Sequence, residues 1–261
     1  MNMSLYNKTD KICNICKKNG TLSEDHVPPK GVLFNKVVWM DNFGKQFQKE
    51  DGKLRIRLSQ NGIRFKTICH SCNNKLHDYD RKLVEFSKSI HNKLIENLDN
   101  PQFNEVEIEC YPNAVMRSIL GHLLAVKVET DNVVIDSSIR SLIFDDSKII
   151  PEKVNIYYWF YPFANIRIAR DFVRFFSDKQ CGFNSVIKFP PVGFLITDLP
   201  NIRGLENFHQ FKDKKPNYQT KIKMMLRPYN REGWPEEVGD GNPFIAGGKS
   251  FCNSLIAKPK K

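Results

Sequence analysis

The sequence predicts an α+β protein: a cysteine-stapled N-terminal module followed by a C-terminal α+β accessory domain. Three observations carry that prediction. Two C-x-x-C pairs lie in the first third of the chain, a helix-period segment follows the second pair, and short runs rich in β-branched and aromatic residues lie beyond residue 100.

At 261 residues the chain has room for one large domain or two modest ones, and 41% hydrophobic content makes a packed core feasible. No apolar run reaches the ~20 residues of a membrane span. The N-terminus MNMSLYNKTDKICNIC lacks the apolar centre of a secretory signal, so a cytoplasmic protein with no membrane association is expected. Lys and Arg number 40 against 29 Asp and Glu, a net charge of +11 that would attract a polyanion by counterion release.

The first knuckle, Cys13-Asn14-Ile15-Cys16, is followed by a turn at residues 17–20 and then by SEDHVPPK, where two prolines should hold the chain extended after His26. Residues 31–66 form a polar, basic stretch in which KLRIRL (53–58) alternates as an exposed strand would. After the second knuckle, Cys69-His70-Ser71-Cys72, the positions Leu76, Leu83, Phe86, Ile90, Leu94 and Leu98 predict a helix ending at Asp99-Asn100-Pro101, the expected boundary between domains 1–100 and 101–261. Residues 114–126 (AVMRSILGHLLAV) predict a buried helix, with His122 a hydrogen-bonded core histidine. Residues 154–161, 186–189 and 192–196 predict strands, and the aromatic run from Tyr157 to Tyr161 is better read as strand core than as a base-stacking platform. Residues 167–176 suit either helix or strand. As a helix they would align Arg167, Arg170 and Arg174 in a basic stripe. Residues 233–261, rich in Gly, Pro and Lys, read as a partly mobile basic tail.

Seven cysteines in a reducing compartment do not make a disulfide framework. Two C-x-x-C pairs place four thiolates, Cys13, Cys16, Cys69 and Cys72, to close one tetrahedral structural Zn²⁺ site. Cys110, Cys181 and Cys252 read as ordinary thiols.

The joint pattern of SEDHVPPK after one knuckle and CHSCNNKLHD at the other resembles the zinc-containing HNH endonucleases of ββα-metal type. The resemblance covers residues 13–80 and implies phosphodiester hydrolysis at a second, divalent cation, Mg²⁺ or Mn²⁺. It implies that His26 is the general base and that Asp25, Asn73 and His77 hold the cation. Elementary chemistry agrees. A neutral imidazole can deprotonate water near neutral pH, Asp25 offers a hard oxygen ligand, and Asn73 and His77 are one helical turn apart. Asp78 and Asp80 are spare acids that can replace His77. The family also has a side chain before the second knuckle that orients the base. Its place here falls near Arg64, with Asn61 and Asn42 the nearest amides, and no match is evident.

Backbone contacts to nucleic acid, most simply double-stranded DNA, are expected from Lys45, Lys49, Lys53, Arg55, Arg57, Arg64 and Lys66. Proteins of this kind with an unfamiliar C-terminal region resemble nucleases of prokaryotic anti-phage defence, which implies a partner ATPase or an internal sensor. The rival readings are a non-catalytic zinc-ribbon module that binds nucleic acid or protein, and a restriction-type enzyme acting on modified DNA.

Overall fold

The computed structural model describes residues 6–8, 10–32, 37–41, 57–97, 104–127, 134–175, 181–226, 231–237, 244–246 and 255–260. Strands β1 (Tyr6–Asn7) and β2 (Leu22–His26) flank the first knuckle. β3 (Val38–Asp41), β4 (Arg57–Ser59) and β5 (Arg64–Cys69) follow, and β5 runs straight into helix α1 (His70–Glu96) at the second knuckle. Next come β6 (Glu105–Cys110), helix α2 (Pro112–Ala125) and helix α3 (Val134–Arg140). The rest is strand-rich, with β7 (Asn155–Phe160), β8 (Ile166–Phe175), β9 (Cys181–Phe189), β10 (Val192–Thr197) and β11 (Glu206–Asn207), then β12 (Thr220–Met225), β13 (Phe244–Ala246) and β14 (Leu255–Pro259). Helices on mostly antiparallel sheets make the chain α+β. Among the described residues no helix is long and apolar enough to cross a membrane.

β2 and β5 pair antiparallel, with β1 parallel on the other edge of β5. The chain between β2 and β5 does not turn back directly. It first lends β3 and β4 to a nine-stranded sheet ordered β11-β7-β10-β9-β8-β14-β3-β4, with β13 on β8. Both faces of β7 are buried, which is why it reads as a continuous apolar run rather than an alternating one. Ile156 and Tyr158 face the helices, whereas Tyr157 and Trp159 pack on the other side with Phe172, Leu195 and Trp234. The aromatic run is core, as its composition suggests.

α1 spans 27 residues and buries Cys72, Leu76, Tyr79, Leu83, Phe86 and Ile90, spaced three and four apart along one stripe. Removing side chains of this size from water contributes roughly 1.5–3 kcal/mol each, an upper figure because the unfolded chain already hides part of them. α2 is buried along its whole length. It therefore lies at the centre of the molecule, touching α1, α3, β5 and β9.

Three expectations change. The boundary at 99–101 does not separate two cores, because one hydrophobic cluster runs from Cys13 and Ile68 through both long helices to Phe194 and Ala257. The stripe of α1 is covered by α2 and β6 as well as by residues of the large sheet such as Tyr158 and Phe194. The 233–261 segment is not simply an extension either. Trp234 is buried, and Leu255, Ile256 and Ala257 fill β14 between β8 and β3. Its Gly, Pro and Lys content hid a short apolar strand. Residues 167–175 are strand, and the three arginines lie inside rather than on a stripe open to phosphate. Arg167 reaches Glu236 and Glu237, Arg170 reaches Asp136 at 2.8 Å, and Arg174 reaches the Pro235 carbonyl at 2.7 Å. Buried cations need such partners.

At the crossing of α1 and α2 a Cβ on Gly121 would lie 2.1 Å from a Leu76 methyl, and Leu76 is fully buried. Gly121→Val should therefore lower stability by roughly 1–3 kcal/mol in urea unfolding. An unchanged midpoint would mean that the helices do not meet there.

Candidate functional site

The first knuckle is a tight turn in which the Cys13 carbonyl accepts from Lys17 N at 3.0 Å and Cys13 N donates to the Lys18 carbonyl at 3.0 Å. Lys17 sits in the left-handed region at φ 61°. The second knuckle straddles the junction of β5 and α1, so its two sulfurs come from the last strand residue and the first helical turn. The four sulfurs converge: Cys13–Cys72 are 3.5 Å apart, Cys16–Cys69 3.7 Å and Cys69–Cys72 3.4 Å. Sulfurs at ~2.3 Å from a tetrahedral zinc would be about 3.8 Å apart. The Cys69 amide also donates to Cys13 Sγ. The sulfur of Cys72 beside it lowers the Cys13 thiol's pKa and so favours its thiolate. The set is compatible with a structural metal such as zinc, and among the described residues no other group of three or more His, Cys, Asp or Glu converges in this way.

β2 then leads away from the sulfurs with a bulge between Ser23 and Asp25. Its burial pattern puts Glu24 outside and Asp25 inside, with His26 half-buried at the strand end. The Asn61 backbone near the His26 ring favours its protonated form, while Nε2 is buried and has no hydrogen-bond partner among the described residues. Burial holds the His26 pKa below its usual value, and Arg64 and Lys30 push the same way while Asp25 opposes them. The ring is thus a neutral imidazole at pH 7. Arg64 faces His26 across the strands, but its guanidinium pairs with Glu24. Of the residues considered for the orienting place, Arg64 is engaged by Glu24 and Asn42 lies outside the described residues.

Asp25 is 4% exposed. Its Oδ2 lies 3.1 Å from His122 Nδ1, while His122 Nε2 lies 2.8 Å from Asp80 Oδ1. Ser118 Oγ donates to the same Asp80 oxygen at 2.6 Å. Burial alone would lower the His122 pKa, but the carboxylates on both ring nitrogens outweigh it and push it up to about 10. Burial raises Asp25, and His122 opposes that rise. The ring of His122 thus lies between the two carboxyl groups, with Asp25 at Nδ1 and Asp80 at Nε2. The two acids occupy opposite edges of the ring, so this is a relay rather than a chelate. His122 is the hydrogen-bonded core histidine expected of it, but its partners are a candidate site residue and one of the spare acids, which a helical pattern alone does not reveal.

Asn73 is half-buried in the first turn of α1, and its Nδ2 donates to Ser23 Oγ at 3.2 Å and to the Glu24 carbonyl at 3.0 Å. This ties the helix to β2 and leaves Oδ1 as the atom able to face a cation. His77 is exposed one turn further on, and Asp78 is exposed and paired with Arg81. Of the expected ligands, Asn73 is tied to Ser23 and Glu24 of β2, Asp25 faces inward to His122, and His77 is exposed. Of the basic residues proposed for nucleic acid, Lys45, Lys49, Lys53 and Arg55 lie outside the described residues, as does the Arg57 side chain, while Lys66 is exposed on β5.

No family model, curated protein or solved structure matches this chain. The site stands on its geometry.

Two outcomes are expected. Metal analysis of native protein should find one zinc per chain, and Cys72→Ser should lose it together with much of the thermal stability, since metal binding here is coupled to folding. Retention of full stability by a zinc-free variant would contradict this. Secondly, a His122 pKa raised from 6.5 to about 10 contributes stability below about pH 6.5 that is lost as pH rises through 10. The unfolding free energy of the wild type should decline across that interval, by at most about 1.4 kcal/mol per pH unit. His122→Gln should not share the decline.

Proposed function

We propose that the chain is a metal-dependent endonuclease of HNH type that hydrolyses phosphodiester bonds, with DNA as the first substrate to test. The observation that carries the reading is the His26 ring. Its Nε2 is buried without a hydrogen-bond partner, the charges of Arg64 and Lys30 act on the ring, and a zinc-compatible staple sits at the start of the adjoining helix. The order β2, β5, α1 supports the same reading, since two antiparallel strands followed by a helix are what a ββα site requires.

In this reading His26 Nε2 takes a proton from a water that attacks phosphorus in line, and the 3′-oxygen departs. Arg64 and Lys30 lie where they can face phosphate charge. Asp25 and Asn73 would hold Mg²⁺ or Mn²⁺ through their Oδ1 atoms, with His77 the third protein ligand. Bound there, the cation would stabilise charge developing on phosphate and the leaving oxygen. The oxygens fit a hard divalent ion, and the four thiols do not compete for it.

A specific observation favours a second reading. The Asp25 Oδ2 and the Asn73 amide nitrogen are both engaged by protein groups, as in a zinc-ribbon module that binds without cleaving.

Incubating supercoiled plasmid with zinc-loaded protein and Mg²⁺ or Mn²⁺ separates the two. Wild type should nick or linearise the plasmid. His26→Ala should cut about 10²–10⁴-fold more slowly while keeping its zinc and its melting temperature. Cleavage undiminished in His26→Ala would refute the assignment of the base, and an inert wild type that still shifts DNA would favour the binding module. Because His26 is depressed and must be neutral to act, the acid limb of the rate profile should lie below pH 6.5. A limb above pH 7 would point to another group.

A further inference from the structure

His122 is carried by α2, outside the segment that supplies the other candidate residues. A buried polar relay is an expensive way to join a strand to two helices, since apolar side chains of similar volume would pack the same space without desolvating three polar groups. Yet α2 projects two polar side chains, Ser118 and His122, at this one point. Ser118 donates to Asp80, Asp80 holds His122 Nε2, and His122 Nδ1 holds Asp25 Oδ2. The ring is thereby fixed in position and plane from both edges. Asp25, next to His26 in the chain, then has Oδ2 committed to His122 and only its other oxygen left for a further ligand. A histidine locked by a second carboxylate is a recurring way of orienting a neighbouring metal-binding group.

We infer that His122 is a positioning residue, held by Asp80 and Ser118, that aims Asp25 at a divalent cation beside His26. The proposal rests on the nuclease reading and extends it, because the site is then incomplete without residues 112–125. Helix α2 belongs to the active site. It is not an accessory element.

The test measures Mn²⁺ binding by calorimetry on full-length, zinc-loaded wild type, His122→Gln, His122→Ala and Asp80→Asn, beside the Mn²⁺ dependence of plasmid cleavage. His122→Gln and His122→Ala should weaken Mn²⁺ binding by about 10–100-fold, and the Mn²⁺ needed for half-maximal cleavage should rise in step. Zinc content should stay at one per chain. Asp80→Asn should shift both readouts the same way by less. If His122→Ala does not fold, as judged by zinc content and melting, the glutamine and Asp80→Asn variants decide. Variants that melt earlier but bind Mn²⁺ within twofold of wild type would overturn the proposal and leave His122 a structural cross-link. A wild type that binds no Mn²⁺ beyond its zinc would overturn it as well. A wild type that binds Mn²⁺ with the predicted loss in the variants, but cleaves nothing, would sink the nuclease reading while the positioning role stands.

Discussion

Four sulfurs from two stretches of chain about 53 residues apart meet within 4.8 Å of one another, and the placement of nearly every other candidate residue follows from that meeting. The convergence seats the start of α1 against the end of β5 and the turn of the first knuckle. α1 in turn reaches β2 through the Asn73 amide, and β2 pairs with β5. A small module rich in polar residues would not hold this arrangement by apolar burial alone. A metal shared by the four thiols would do so with little chain.

The staple nevertheless does not make a separate domain. The apolar stripe of α1 is longer than the module can cover, so it lies against α2 and the inner face of the large sheet. α2 is enclosed on all sides, and each polar group it carries needs a partner in the interior. Arg117 caps the loop that follows α3 through the carbonyls of Leu142, Asp145 and Lys148. Asn113 binds the carbonyls of Phe211 and Lys212. Ser118 and His122 meet the acids of α1 and β2. The polar face of a buried helix thus links the knuckle region to the rest of the chain, and the candidate site lies at that joint.

Much of this was legible in residue patterns. The cysteine spacing pointed to the converging sulfurs, the three-and-four spacing of Leu76, Leu83, Phe86 and Ile90 to α1, and the run AVMRSILGHLLAV to a buried helix. The β-branched and aromatic runs at 154–161 and 192–196 marked central strands. What was not legible depended on contacts between distant segments. The arginines of β8 would have made a basic stripe only on a helix, and no local pattern announces that Glu236 or Asp136 will lie beside them. β14 was hidden because three apolar residues among Gly, Pro and Lys form a strand only when two neighbouring edges are waiting. The boundary at residue 99 looked convincing because a Pro-containing break ends a helix in any context, whether or not the core continues beyond it.

The sequence by itself determined the local chemistry: thiolates at metal-ligand spacing, an acid beside a histidine before two prolines, an amide in the first turn of a long helix, and an excess of positive charge. Those properties depend on neighbours a few residues away, and periodicity and spacing report them. Tertiary structure alone decided which polar groups are paired. It buried His26 Nε2 without a partner, turned Asp25 inward to His122 and placed Asp80 on the other edge of that ring. The physical reason is that desolvation and hydrogen bonding in an interior depend on which segments pack together, and partners about 97 residues apart in the chain, as Asp25 and His122 are, leave no mark on each other's local sequence.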